Sequence, residues 1–66
     1  MPQDRLLKYF EYEHLPDHLK EVSKPFGDLA QSINDTLEPG PERSVALRKL
    51  LEGKDAAVRA KLHPGN

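Results

Sequence analysis

Glu38-Pro39-Gly40-Pro41 decides the fold. Two prolines bracket a glycine, and a proline inside a helix or a central strand removes a hydrogen-bond donor, so no regular element crosses this point. On its N-terminal side, Leu15, Leu19, Val22, Phe26, Leu29, Ile33 and Leu37 recur at steps of three and four, the spacing of one helix face. On its C-terminal side a thinner face is drawn by Val45, Ala46, Leu47, Leu50, Leu51, Ala57, Val58 and Leu62. Pro41 suits the first turn of that second helix, and Glu42 favours its positive end. The sequence therefore predicts two arms, 16–37 and 41–62. They are equal in length and measure about 33 Å each at about 1.5 Å per residue. The four-residue turn 38–41, whose last residue opens the second arm, joins matched arms and makes an antiparallel helical hairpin.

Further out, Pro16 suits the start of the first arm, and Leu15-Pro16 closes whatever precedes it. Asp4 is placed to cap a short helix over 4–11, with Leu6, Leu7 and Phe10 on one side. Pro25 falls inside the first arm. Because the apolar stripe keeps its phase across it, we expect a kink or brief interruption near 25, with Ser23 able to cap a restart. Gly53 and Ala56-Ala57 allow close backbone approach between arms. Residues 63–66, His-Pro-Gly-Asn, form a tail. The expected fold class is all-α: one domain over 1–66, a short N-terminal helix followed by a long hairpin.

Composition narrows the function classes. The 66 residues carry 18 large apolar side chains besides five alanines and Met1, a thin supply for a core. Domains this small rarely gain more than about 3–5 kcal/mol from one core without a staple. With no cysteine, disulfides and thiolate zinc sites are excluded. Association of copies is the remaining staple, and we expect a homo-oligomer. No apolar run approaches the ~20 residues of a membrane span, and Met-Pro-Gln-Asp-Arg lacks a secretory signal's apolar stretch, so a soluble intracellular chain is expected. The net charge of −1 conceals an asymmetry: four basic and eight acidic side chains in 1–41, against six and three in 42–66. That balance excludes a broad DNA duplex footprint but leaves room for a small anion or for attraction between copies.

The chemistry-bearing residues point to binding rather than catalysis. His14 and His18 have the spacing of a metal pair, but Pro16 lies between them and no third ligand is suitably placed, so surface histidines are the better reading and no metal is expected. No nucleophile has an evident base, no glycine-rich phosphate loop follows a strand, and no cofactor is implied. Tyr9, Phe10 and Tyr12 precede the hairpin. Phe10 is expected to fold over it as core, while a tyrosine offers a flat face for a nucleobase. Arg43 and Ser44 occupy the first turn of the second arm, where free N–H groups can receive phosphate, and Arg59 lies near its other end. Arg48, Lys49 and Lys61 read as a solvated face, and Lys54-Asp55 as an exposed charged pair.

Taken together, three stretches resemble a known family. They are Tyr12-Glu-His-Leu15-Pro16, Ser23-Lys-Pro-Phe26-Gly-Asp-Leu29-Ala30, and Glu42-Arg43-Ser44-Val-Ala46-Leu47 through Lys54 to Ala-Val-Arg59-Ala. The family is that of the small phage anti-CBASS proteins that act as cyclic-oligonucleotide sponges, and the likeness covers about residues 9–60. The resemblance implies a homo-oligomer, a hexamer in the best-known members, in the cytoplasm of the infected bacterial host. Such proteins bind cyclic dinucleotides, and some bind cyclic trinucleotides, in pockets shared between protomers, without cutting them. The free messenger falls and the effector of the antiviral defence stays silent. Carried over by position, the base-stacking tyrosine falls on Tyr12, with Tyr9 one turn earlier as the fallback. The family's lysine falls on Lys24, although Pro25 and the spacing before it depart from the family pattern. The late arginine falls on Arg59, and Arg43 and Ser44 match the start of the same helix. The hairpin tip is shorter than in typical members, so a trinucleotide site is not implied. The competing reading is a small helical adaptor or inhibitor that binds a host protein through its hairpin face.

Overall fold

The computed structural model describes residues 4–65. It contains a 3-10 helix, Arg5–Phe10, then helix α1, Asp17–Thr36, and helix α2, Pro41–Leu62, with no strand among the described residues. Residues 1–3 of the expected opening and Asn66 of the expected tail lie outside them. Asp4 caps the first element, its Oδ1 accepting from the Leu6 N–H at 3.0 Å. The expected short helix is thus a tighter 3-10 turn, ending one residue before Glu11. Leu37-Glu38-Pro39-Gly40 connects the arms, with Pro41 in the first turn of α2. Arg43 of α2 meets Asn34 of α1, and Gly53 meets Phe26, so the arms run antiparallel. None of the helices is long and apolar enough to cross a membrane, among the described residues.

Pro25 does not break α1. The helix continues from Asp17 to Thr36 with the proline inside it. Without the proline N–H, the Glu21 carbonyl loses its intrahelical partner, but both Glu21 and Pro25 face solvent, where water can replace it. Ser23 therefore caps nothing. It lies in the helix interior, fully buried, and its hydroxyl has no hydrogen-bond partner among the described residues.

The inward face of α1 also differs from the apolar stripe. Ser23, Ala30 and Asn34 are its buried residues, whereas Leu29 is 51% and Leu37 47% exposed. Position along the helix explains this. Residues 23, 30 and 34 share a face that is rotated from the one bearing 22, 29 and 33. Small side chains on that face let α2 and the N-terminal segment approach together. The body is 38 × 23 × 15 Å, too thin to enclose large side chains on every side, and among the described residues Phe10, Ala30 and Leu47 form its buried apolar centre. Leu6, Leu7, Phe26, Ile33, Leu50 and Leu51 pack around that centre, each still reaching the surface.

At the hairpin tip a polar network replaces the missing apolar mass. The Asp4 N–H donates to Asn34 Oδ1 at 3.0 Å, and the Ser44 hydroxyl donates to Asp4 Oδ2 at 2.9 Å. Three chain segments are tied there through one aspartate. The Leu6 N–H, chiefly, then Ser44 and the charges of Arg43 and Arg5, hold the Asp4 carboxyl below its ordinary pKa, against an opposing contribution from burial.

Candidate functional site

Tyr12 is placed by a glycine. Residues 11–16 lead from the 3-10 helix into α1, and the Cδ2–Cε2 edge of the Tyr12 ring lies over Gly27. A Cβ on Gly27 would stand 2.9 Å from both the Phe10 carbonyl oxygen and the Tyr12 ring. Only a residue without a side chain permits this approach. The ring consequently sits one helical turn from Lys24, whose ammonium lies 5.6 Å from its centroid, within reach of a cation–π contact.

Asp28 completes the cluster. Its Oδ2 accepts from Lys24 Nζ at 2.9 Å, and its Oδ1 accepts from the Tyr12 hydroxyl at 3.2 Å. One carboxylate therefore bridges an ammonium and a phenol. The hydrogen bond to Asp28 is the main reason the Lys24 ammonium holds its proton above the ordinary lysine range, and the same bond lowers the Asp28 carboxyl. Both side chains are 56% exposed, so the pair is screened and contributes little to folding. Beside it opens a groove of about 620 Å³ lined by Phe10, Glu11, Tyr12, Glu13, Gly27 and Asp28 among others. Its carboxylates make that side of Tyr12 unwelcoming to anions. The Lys24 side is the one suited to phosphate.

The other residues picked out by the sequence are dispersed. Tyr9 is 51% exposed, with Lys8 Nζ 5.2 Å from its ring centroid. Its carbonyl accepts from Lys54 Nζ at 2.6 Å. Lys54 is thus half of an N-terminal tether, not of an exposed pair with Asp55. Arg43 is 5% exposed, and its Nη1 donates to the carbonyls of Asn34 and Leu37 at 3.1 Å each. These are orphan carbonyls at the end of α1, where a cation also meets the negative end of the helix. Arg43 closes the tip of the hairpin, and Ser44 gives its hydroxyl to Asp4. The structure therefore gives both residues an internal role.

Arg59 is exposed near the end of α2, beside Ala56, Ala60 and His63 in a shallow depression that shares no lining residue with the Tyr12 groove. The pairing of Gly53 with Phe26 sets Arg59 further toward the open end of the hairpin than Tyr12 and Lys24. No hydrogen bond joins it to either among the described residues. His14 and His18 are exposed, and no group of three or more His, Asp or Glu side chains able to hold a metal occurs among the described residues.

Gly27 and Asp28 are the members of this cluster that the sequence reading overlooked. The i,i+4 spacing of Lys24 and Asp28 marks an ion pair; that Tyr12 joins it depends on a contact sixteen residues apart, which periodicity does not reveal. Comparison with protein-family models, with curated proteins and with solved structures finds no match for this chain.

Proposed function

We propose that the protein sequesters cyclic oligonucleotides without catalysis, Tyr12 and Lys24 forming the ligand-contacting pair. The observation that carries this reading is the half-buried Tyr12 ring held within 5.6 Å of the exposed Lys24 ammonium. A nucleotide needs that combination: a ring to stack on its base and a cation for its phosphate. The sequence resemblance to anti-CBASS sponges supports the choice of cyclic dinucleotides, with cyclic trinucleotides as the second ligand class to test. A cyclic dinucleotide presents two bases and two phosphates, so two symmetry-related copies would each supply one tyrosine and one lysine. Arg59 is free to serve a ligand shared between protomers of a homo-oligomer, a hexamer by analogy with the family. Arg43 and Ser44 are engaged inside the chain, and on this reading their part is to hold the hairpin. Sequestration acts by mass action in the cytoplasm of an infected bacterial host, and requires affinity and copy number rather than turnover.

Calorimetric titration with cyclic di- and trinucleotides, using linear dinucleotides as controls, tests this. The expected result is tight binding of a cyclic ligand that is recovered intact after denaturation. Loss of binding in Tyr12→Ala and Lys24→Ala, with helicity kept, would assign the site. Silence across the panel would overturn the reading in favour of the adaptor, for which the exposed Leu29, Leu37 and Val45 offer an apolar contact surface.

A further inference from the structure

The Lys24 ammonium and the Tyr12 hydroxyl, the two donors a ligand phosphate would use, are already bridged by a carboxylate. Asp28 presents two anionic oxygens, one to each donor, much as two non-bridging oxygens of a phosphodiester would. We propose that Asp28 is a built-in placeholder for ligand phosphate, displaced on binding, which filters out small anions and admits only ligands that also bring a base to Tyr12. The proposal rests on the nucleotide-binding reading above and names the residue that sets its selectivity.

Three features of the bridge make it displaceable. The pair is more than half exposed on both sides, and exposed ion pairs contribute only about 0.2–1 kcal/mol. Lysine precedes aspartate along the helix, the less favourable order for an i,i+4 pair relative to the helix dipole. Nothing else anchors the carboxylate: Lys24 and Tyr12 are its side-chain partners among the described residues.

The filter follows from counting contacts. Inorganic phosphate replaces one anion by another at the same two donors and leaves Asp28 unpaired beside the newcomer's charge, so it gains almost nothing. A dinucleotide makes the same exchange but adds stacking on Tyr12, about 1–3 kcal/mol per base. Because one ion pair is exchanged for another, binding by the natural chain should depend weakly on salt. Without Asp28 a new ion pair forms, and salt dependence should steepen.

The test compares the natural chain, Asp28→Asn and Glu21→Gln by calorimetry. The probe is the cyclic dinucleotide of GMP and AMP, titrated with and without inorganic phosphate at several salt concentrations. Glu21 is an exposed carboxylate on α1, one turn before Lys24, and makes no ion pair with it within 4 Å among the described residues. Its variant reports the general effect of removing one negative charge. The expected result is binding about three- to fivefold tighter in Asp28→Asn, the size of one exposed pair, with a steeper salt slope and competition by phosphate that the natural chain does not show. Glu21→Gln should change affinity by less than about twofold. Binding by Asp28→Asn where the natural chain is silent would also support the placeholder. Equal or weaker binding in Asp28→Asn, with the natural chain binding, would overturn the placeholder and leave sequestration standing. Silence of all three proteins toward the probe and the wider panel would overturn both.

Discussion

The molecule contains two trios of the same chemistry. At the hairpin tip, Asp4 accepts from the Ser44 hydroxyl with the Arg43 guanidinium close enough to lower its pKa. Midway along α1, Asp28 accepts from the Tyr12 hydroxyl and the Lys24 ammonium. The tip trio joins two segments far apart in sequence, ties both to the end of α1, and includes an arginine that is 5% exposed. The second trio joins one helix and one loop, with Lys24 and Asp28 exposed and Tyr12 half-buried. Burial makes the tip network structural, because removing a partner leaves polar groups that water cannot easily reach. Exposure makes the Tyr12 trio exchangeable, because water or a ligand can replace any partner.

The largest effect should come from Arg43→Ala. It strips two orphan carbonyls of their donor and should cost about 2–3 kcal/mol, read as a lower midpoint in urea with unchanged slope. A loss below about 0.5 kcal/mol would break the contrast between the two trios. Gly27→Ala should follow. Collision with a backbone carbonyl outweighs the helix propensity gained, leaving a net loss of about 1–2 kcal/mol and a shifted Tyr12 environment visible by tyrosine fluorescence. Gly53→Ala is its counterpart with opposite sign. A Cβ there meets only the Phe26 ring edge at 3.6 Å, so a gain of up to about 1 kcal/mol is expected.

Acid titration sharpens the comparison further. The folded pKa of Asp4 is depressed, so its stabilisation is present above the ordinary carboxylate value and is lost as pH falls through the folded one. Stability of the natural chain should decline below about pH 4 more steeply than that of Asp4→Asn, followed by thermal melts. The smallest effect belongs to Lys24→Ala, within about 0.5 kcal/mol of the natural chain. A larger loss would mean that the exposed trio also holds the fold.

The hairpin was legible because its signals are local. Pro39-Gly40-Pro41 ends and restarts the chain by itself, and Asp4 needs only the Leu6 N–H to act as a cap. The apolar spacing identified α1 as a helix but not the side it turns inward. That choice depends on α2 and the N-terminal segment packing against it, so the neighbouring face of Ser23, Ala30 and Asn34 turns inward, with Phe26 and Ile33 of the stripe packing beside it. Arg43 looked like a phosphate ligand because its position in a first turn is visible in the sequence. The end of the neighbouring helix, which it actually serves, is not. Tyr12 and Lys24 could be named singly; their bridging through Asp28 depends on Gly27 leaving room for a ring.

The proline-bracketed tip also has a kinetic consequence. Pro39 and Pro41 restrict the unfolded chain to few conformations at the point where the arms must reverse, and a connection this short costs little entropy to close. The hairpin is therefore the part expected to form early. The contacts that dock the N-terminal segment, Asp4 to Ser44 and Tyr9 to Lys54, span 40 and 45 residues and should form later. Opening of that segment would release Tyr12 from Gly27 while the hairpin persists. Amide hydrogen exchange should then find residues 5–12 exchanging faster than the centres of α1 and α2.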